Sequence, residues 1–202
     1  MDKEKEIEAK FYIHNLSFFE NRLKSLGALC IQPRVLEVNL RFDFPDQSLS
    51  QARRVLRLRQ DNRVRLTYKG PAEPDEFVSV RQEIEVEVDN FLSARHFLEA
   101  LGYEVAVMYE KYRTTYKLDV VEVALDEMPF GTFIEIEGPD PASIQVAAAV
   151  MRLNWNARCS ESYLAIFYRL IAKRGLKLAN LSFQDFKDIS ITAEDLGLQT
   201  AD

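Results

Sequence analysis

Glu6, Glu8 and Lys10 stand at alternate positions in EIEAK, near the start of the 202-residue chain. At a period of two they share one face of a strand, while Ile7, Ala9, Phe11 and Ile13 share the other. Glutamate is depleted in strands, and like charges at neighbouring same-face positions repel. The pattern nevertheless recurs. VLRLR aligns Arg57 with Arg59, RVRLTYKG aligns Arg63, Arg65, Thr67 and Lys69, and VRQEIEVEV aligns Arg81, Glu83, Glu85 and Glu87. EKYRTTYK offers Lys111 and Arg113, VEVALDE offers Glu122 and Asp126, and FIEIEG offers Glu135 and Glu137. Alternation alone describes any half-buried antiparallel sheet with one face in water. Here nearly every polar position is an ionised side chain, and the two signs are mixed.

A sheet rolled up with its charged face inward accounts for this better, provided helices cover the apolar face from outside. Fixed charges in such an interior are costly unless compensated, so the cavity calls for water, metal ions and a polyanion. Arginine matches phosphate oxygens in bidentate fashion and lysine as a point charge. Carboxylates without histidine or cysteine suit hard cations such as Mg2+ or Mn2+, which bridge to substrate phosphates. Together these groups fit a metal-bound polyphosphate, whose transfer chemistry asks mainly for positioning and charge neutralisation. No GxxxxGK[ST] loop and no glycine-rich dinucleotide fingerprint is present.

The elements that must position these residues read as a mixed α+β pattern. Asn15 caps a helix running through Leu16, Phe19, Leu23 and Leu26 to Gly27. Strands are expected over 35–44, 55–60, 64–69 and 78–88, punctuated by Pro45 and by GPAEPDE from Gly70. A second helix starts at Asp89 or Asn90 and ends at Gly102. Strands resume over 105–118, 120–127 and 132–137. Pro141 opens a third helix through Met151, and 160–173 reads as a fourth. EIEAKFYIHNLSFFENRLKSLG is echoed by EIEVEVDNFLSARHFLEALG from Glu83, and a third EIE, from Glu135, also precedes a helix.

Length fits one domain, 1–175, with a tail, 176–202, whose apolar residues allow it to dock on the body. A net charge of -6 without a basic tail argues against nucleic acid as partner. Cys30 and Cys159 lie far apart without a CxxC pattern and read as free thiols. The start of the chain has no apolar signal segment and no run reaches membrane-spanning length, so a cytoplasmic protein without membrane attachment is expected.

The ordered set resembles one family. Glu6-x-Glu8-x-Lys10 is similar to the ExExK signature of the CYTH superfamily, the triphosphate tunnel metalloenzymes. It is followed in the family's order by LRLR, YKGP, RQEIE, EKYR and LDEMPFGTFIEIEG. The resemblance spans about Glu4 to Tyr168 and implies a closed antiparallel barrel of roughly eight strands, a tunnel with a charged interior flanked by amphipathic helices. It implies that Glu6, Glu8, Glu135 and Glu137 ligate Mg2+ or Mn2+, with Asp126 and Glu83 or Glu85 assisting. It also implies that Lys10, Arg57, Arg59, Lys69, Arg81, Lys111 and Arg113 grip the phosphates, Lys10, Lys111 and Arg113 being the candidate catalytic cations.

Family members hydrolyse inorganic, thiamine or nucleoside triphosphates, or cyclise ATP to cyclic AMP and pyrophosphate. The spacing around EKYR and LDEMPFG resembles the cyclase-like branch. Against it, MDKEK stands where cyclases carry a His-Phe pair, and the DxYFD-like segment is altered to Asn39-Leu40-Arg41-Phe42-Asp43. The expectation is therefore a metal-dependent triphosphatase of a small triphosphate, with a class IV adenylate cyclase as the alternative. A non-catalytic polyphosphate- or nucleotide-binding module is the second alternative. A homodimer is left open.

Overall fold

The computed structural model describes residues 5–73 and 78–202. The first residues of MDKEK and the end of GPAEPDE lie outside them. Eight strands close into an antiparallel barrel. They are β1 (Lys5–Ile13), β2 (Leu29–Asp43), β3 (Val55–Gln60), β4 (Val64–Glu73), β5 (Ser79–Glu87), β6 (Glu104–Leu118), β7 (Val121–Met128) and β8 (Gly131–Glu137). The order around the barrel is β5-β4-β3-β2-β6-β7-β8-β1, and β1 pairs back onto β5. A two-residue strand, β9 (Arg158–Cys159), pairs with β1 at Lys10 and Phe11, beyond the stretch that meets β5. Closure removes the free edges that would otherwise present unpaired backbone.

The three EIE segments become β1, β5 and β8, and these are consecutive in the barrel. Each is followed by a helix: α1 (Leu16–Ser25), α3 (Phe91–Ala100) and α4 (Pro141–Met151). Asn15, Asn90 and Asp140 cap them, each side chain accepting a backbone N–H three residues on. The internal echo is thus a repeated strand–cap–helix unit. α2 (Ser48–Gln51) and α6 (Ala193–Leu196) are single turns.

Alternation sorts the core into an outer and an inner part. The outward residues Ala9, Phe11, Ile13, Val123, Leu125, Ile134 and Ile136 pack under α1 and α4 with Phe19, Leu23, Ile144 and Met151. Leu40, Phe42 and Leu58 form a second outer cluster with Leu98 of α3. The remaining long helix, α5 (Tyr163–Arg174), departs from the expected outer covering. Its Tyr163, Ile166, Phe167 and Leu170 pack on Tyr12, Phe133, Met128 and Tyr109, which share the inward parity of Lys10, Glu135, Asp126 and Lys111. One end of the barrel interior is therefore plugged by α5, and the charged lining gives way to aromatic packing there.

β2 starts six residues before the predicted strand. Register shifts at Cys30/Gln32 and Gln32/Val35 absorb Pro33, which has no N–H for the ladder, and these bulges conceal the alternation. The tail docks across the plugged end. Leu181 donates its N–H to Met108 O and accepts from Glu110 N, while Ala201 N donates to Tyr12 O. Asp202 accepts from the N–H groups of His14 and Asn15. β1 and β6 flank the β7–β8 hairpin, so the tail straps across that hairpin and over α5. No helix among the described residues is long and apolar enough to cross a membrane.

Candidate functional site

The interior holds a cavity of about 730 Å3. Its wall contains Glu6, Glu8, Lys10, Arg57, Arg59, Lys69, Arg81, Glu83, Glu85, Lys111, Arg113, Glu135 and Glu137. Asp126 is wholly buried behind the wall. Its carboxylate accepts from Lys111 Nζ at 2.9 Å, from Arg113 Nε at 2.6 Å and from the Tyr163 hydroxyl at 2.8 Å. In this structure Asp126 orients two cations and a tyrosine.

Strand register explains the convergence. Lys10 sits opposite Glu135 across β1 and β8, and its Nζ reaches the carboxylate at 3.2 Å. Lys69 of β4 contacts Glu6 at 2.5 Å and Glu83 at 3.1 Å. Arg59 spans Glu37 at 3.5 Å and Glu85 at 3.1 Å. Arg113 joins Asp126 to Glu135. Burial disfavours ionised Glu135, but Lys10, Lys111 and Arg113 outweigh it and hold its carboxyl well below the ordinary range.

The carboxylates nearest the start of β1 behave oppositely. Glu8, Glu137 and Glu122 lie directly across from one another on β1, β8 and β7. Neither Glu8 nor Glu137 has an ion pair among the described residues. Burial, with Glu135 and Glu6 beside it, raises Glu8. Burial and the charges of Glu6, Glu8 and Glu83 push Glu137 up to about 7. Like charges in register destabilise a sheet unless a cation enters. Among the described residues no three acidic side chains close into a ready-made cage. The donors are carboxylate oxygens alone, the chemistry of a hard divalent ion that keeps its waters and takes further ligands from phosphate.

Residues 4–163 match the family model described as the CYTH domain. The chain belongs to the CYTH family. A Methanocaldococcus jannaschii relative, provisionally named an adenylate cyclase, is 30% identical over 134 residues, covering 65% of this chain and 75% of that protein. A Vibrio parahaemolyticus structure, also provisionally named an adenylate cyclase, superposes with a TM-score of 0.72 at 24% identity, over 82% of this chain and 98% of its own. A Hippeastrum protein described as a provisional adenylyl cyclase with a dominant triphosphatase activity superposes with a TM-score of 0.63 at 20% identity, over 81% of this chain and 95% of its own.

Within this CYTH barrel Glu37, Tyr163, Arg41 and Tyr109 are among the lining residues that motif spacing did not single out. Glu37 of β2 is 1% exposed and contacts Arg59 and, at 3.6 Å, Lys111. Burial opposes its ionisation, but Lys111, Arg113, Arg59 and Arg57 prevail and bring its carboxyl to about 2. Tyr163 of α5 places its ring 4.3 Å from Lys10 Nζ. Burial and the neighbouring charges of Asp126 and Glu135 hold its hydroxyl well above the usual range, so it stays a donor. Arg41 and Tyr109 also line the wall, as does Arg65, which the charged face of β4 had already aligned. Inward parity on β2 and β6 could have flagged Glu37, Arg41 and Tyr109. No local pattern marks Tyr163, which looks like an ordinary apolar helix position.

Proposed function

We propose that the protein is a divalent-metal-dependent phosphohydrolase of a small triphosphate, inorganic or organic, bound inside the barrel. One observation carries the reading. Among the described residues eleven lysines and arginines and eight glutamates line the cavity of a chain of net charge -6, with Glu73, Glu87, Asp61 and Asp126 paired to Lys5, Arg63, Arg65 and Lys111 from outside that lining. Long-range charge does not draw a polyanion to this protein, so the concentration of lysine and arginine donors on the wall must hold it. Only Ile31, Val55, Ala124 and Leu164 among the described lining residues are wholly aliphatic. That is little surface for a nucleoside, and it favours a compact triphosphate.

In this reading Lys10, Arg57, Arg59, Lys69, Arg81, Lys111 and Arg113 bind and orient the phosphoryl groups. Lys111 and Arg113 are fixed by Asp126, and Asp126 in turn by the Tyr163 hydroxyl. Arg and Lys donors locked in place before reaction stabilise charge as it develops on the transferred group. Glu6, Glu8, Glu83, Glu85, Glu135 and Glu137 would hold Mg2+ or Mn2+, with Asp126 behind them. Such an ion would supply charge neutralisation at the phosphates and Lewis acidity. α5 excludes bulk water from one end.

The name of the Methanocaldococcus relative favours a second reading, cyclisation of ATP on the same wall. Purified protein is offered inorganic triphosphate, thiamine triphosphate and ATP, each with Mg2+ or Mn2+. Orthophosphate release supports the hydrolase. Cyclic AMP with pyrophosphate replaces it with the cyclase, and binding without turnover removes both.

A further inference from the structure

The lining cations differ in what already occupies them. Among the described residues Lys5, Lys10, Arg57, Arg59, Arg63, Arg65, Lys69, Lys111 and Arg113 each have a carboxylate within 4.0 Å. Arg81 donates to the carbonyls of Gly70 and Arg53. Arg41 alone among these lining cations has neither an ion pair nor a hydrogen bond, and its buried Nε has no acceptor. It also sits opposite Arg57 in the β2–β3 register, so two guanidinium groups meet on the inward face. Across the other ladder of β2 it faces Val107, which offers no acceptor side chain. Burial and the like charges of Arg57 and Arg81 depress Arg41, against the opposing influence of Tyr109 and Tyr168.

A guanidinium held in a cavity beside a second one, with no counter-ion, is an unmet demand for a divalent-capable acceptor such as a phosphoryl group. We propose that Arg41 is a further substrate-gripping residue, forming with Arg57 an anion subsite on the β2–β3 wall that takes one phosphoryl group of the bound polyphosphate. This rests on the triphosphatase reading, because it names a polyphosphate as the ligand. It assigns Arg41 a task separate from the carboxylate end. Glu6, Glu8 and Glu137 call for a cation, and Arg41 calls for an anion.

The test measures binding of inorganic triphosphate by calorimetry, with a chelator present so that metal plays no part. Wild type, Arg41→Gln, Arg41→Lys and Lys24→Gln are compared, the last removing one exposed charge on α1, outside the cavity. Loss of a charge-assisted bidentate contact is expected to weaken binding about tenfold or more in Arg41→Gln. Arg41→Lys should fall between, since a point charge replaces the fork, and Lys24→Gln should bind as wild type. Ligand-free Arg41→Gln should melt at or above the wild-type temperature, because a partly buried charge without a counter-ion has been removed. Equal affinity in wild type and Arg41→Gln would overturn the subsite while leaving the triphosphatase reading in place. A wild type that binds triphosphate neither in chelator nor with Mg2+ overturns both. A lower melting temperature with unchanged affinity makes Arg41 a structural residue and also overturns the subsite.

Discussion

Replacing Glu37 with glutamine tests the electrostatic account of the barrel interior most directly. The side chain is 1% exposed and shares Arg59 and Lys111 with other carboxylates. Its carboxyl is brought from 4.5 to about 2 because four cations outweigh its burial. At about 1.4 kcal/mol per pKa unit that displacement corresponds to about 3 kcal/mol of differential stabilisation. The figure is an upper value for the variant. Lys111 keeps Asp126 at 2.9 Å and Arg59 keeps Glu85 at 3.1 Å, so neither cation is stranded. Glu37→Gln should therefore lose about 2–3 kcal/mol at neutral pH, or about 4–12 °C in melting temperature for a chain of this size.

The pH dependence carries the sign. A folded-state pKa below the unfolded one gives stability that is fully present above the unfolded value, 4.5, and disappears as pH falls toward about 2. Urea denaturation followed by circular dichroism should show a constant gap between wild type and variant from pH 7 to 5. Below that the gap should shrink. Saturating triphosphate should narrow it at neutral pH, since the ligand supplies the missing negative charge. A variant as stable as wild type at pH 7, or a gap unchanged below pH 4.5, would refute the argument.

Glu6→Gln and Glu135→Gln should each cut metal-dependent triphosphate turnover about a hundredfold or more while far-UV circular dichroism stays unchanged. Wild-type rates in either would remove it from the site. Because burial and the neighbouring carboxylates push the Glu137 carboxyl up to about 7, triphosphate binding in chelator should weaken as pH rises from 6 to 8 and that carboxyl gains charge. Glu137→Gln should flatten that profile relative to wild type, as read by calorimetry. Leu181, fully buried in the strap, should cost about 2–5 kcal/mol when replaced by alanine, checked by urea denaturation.

Much of the barrel was legible because its inner face is written at a period of two in charged residues, a signal far from ordinary strand composition. The three EIE segments were visible as repeats, and their placement side by side on β8, β1 and β5 follows from closure. Other parts were not legible, for separable reasons. Pro33 and two register shifts broke the alternation of early β2. β9 has only two residues, too few for any period. α5 was legible as a helix, but its plugging of the interior depends on the inward aromatic residues Tyr12 and Phe133. These extend the charged faces of β1 and β8 past the last ionised position. Glu37 is a single carboxylate whose importance comes from four cations on other strands, and linear spacing cannot report such a neighbourhood.

The junction between β1 and β5 consists, among the described residues, of four residue pairs, Lys5–Glu8 against Ser79–Gln82. The same short zipper carries Glu6 and Glu8, and Lys69 of β4 reaches over to Glu6. The stave that completes the cylinder is thus also the stave that presents the acidic groups, and fraying there would dismantle both at once. Amide-hydrogen exchange along these residues should consequently slow when ligand is bound, making this short joint of the fold a reporter of occupancy.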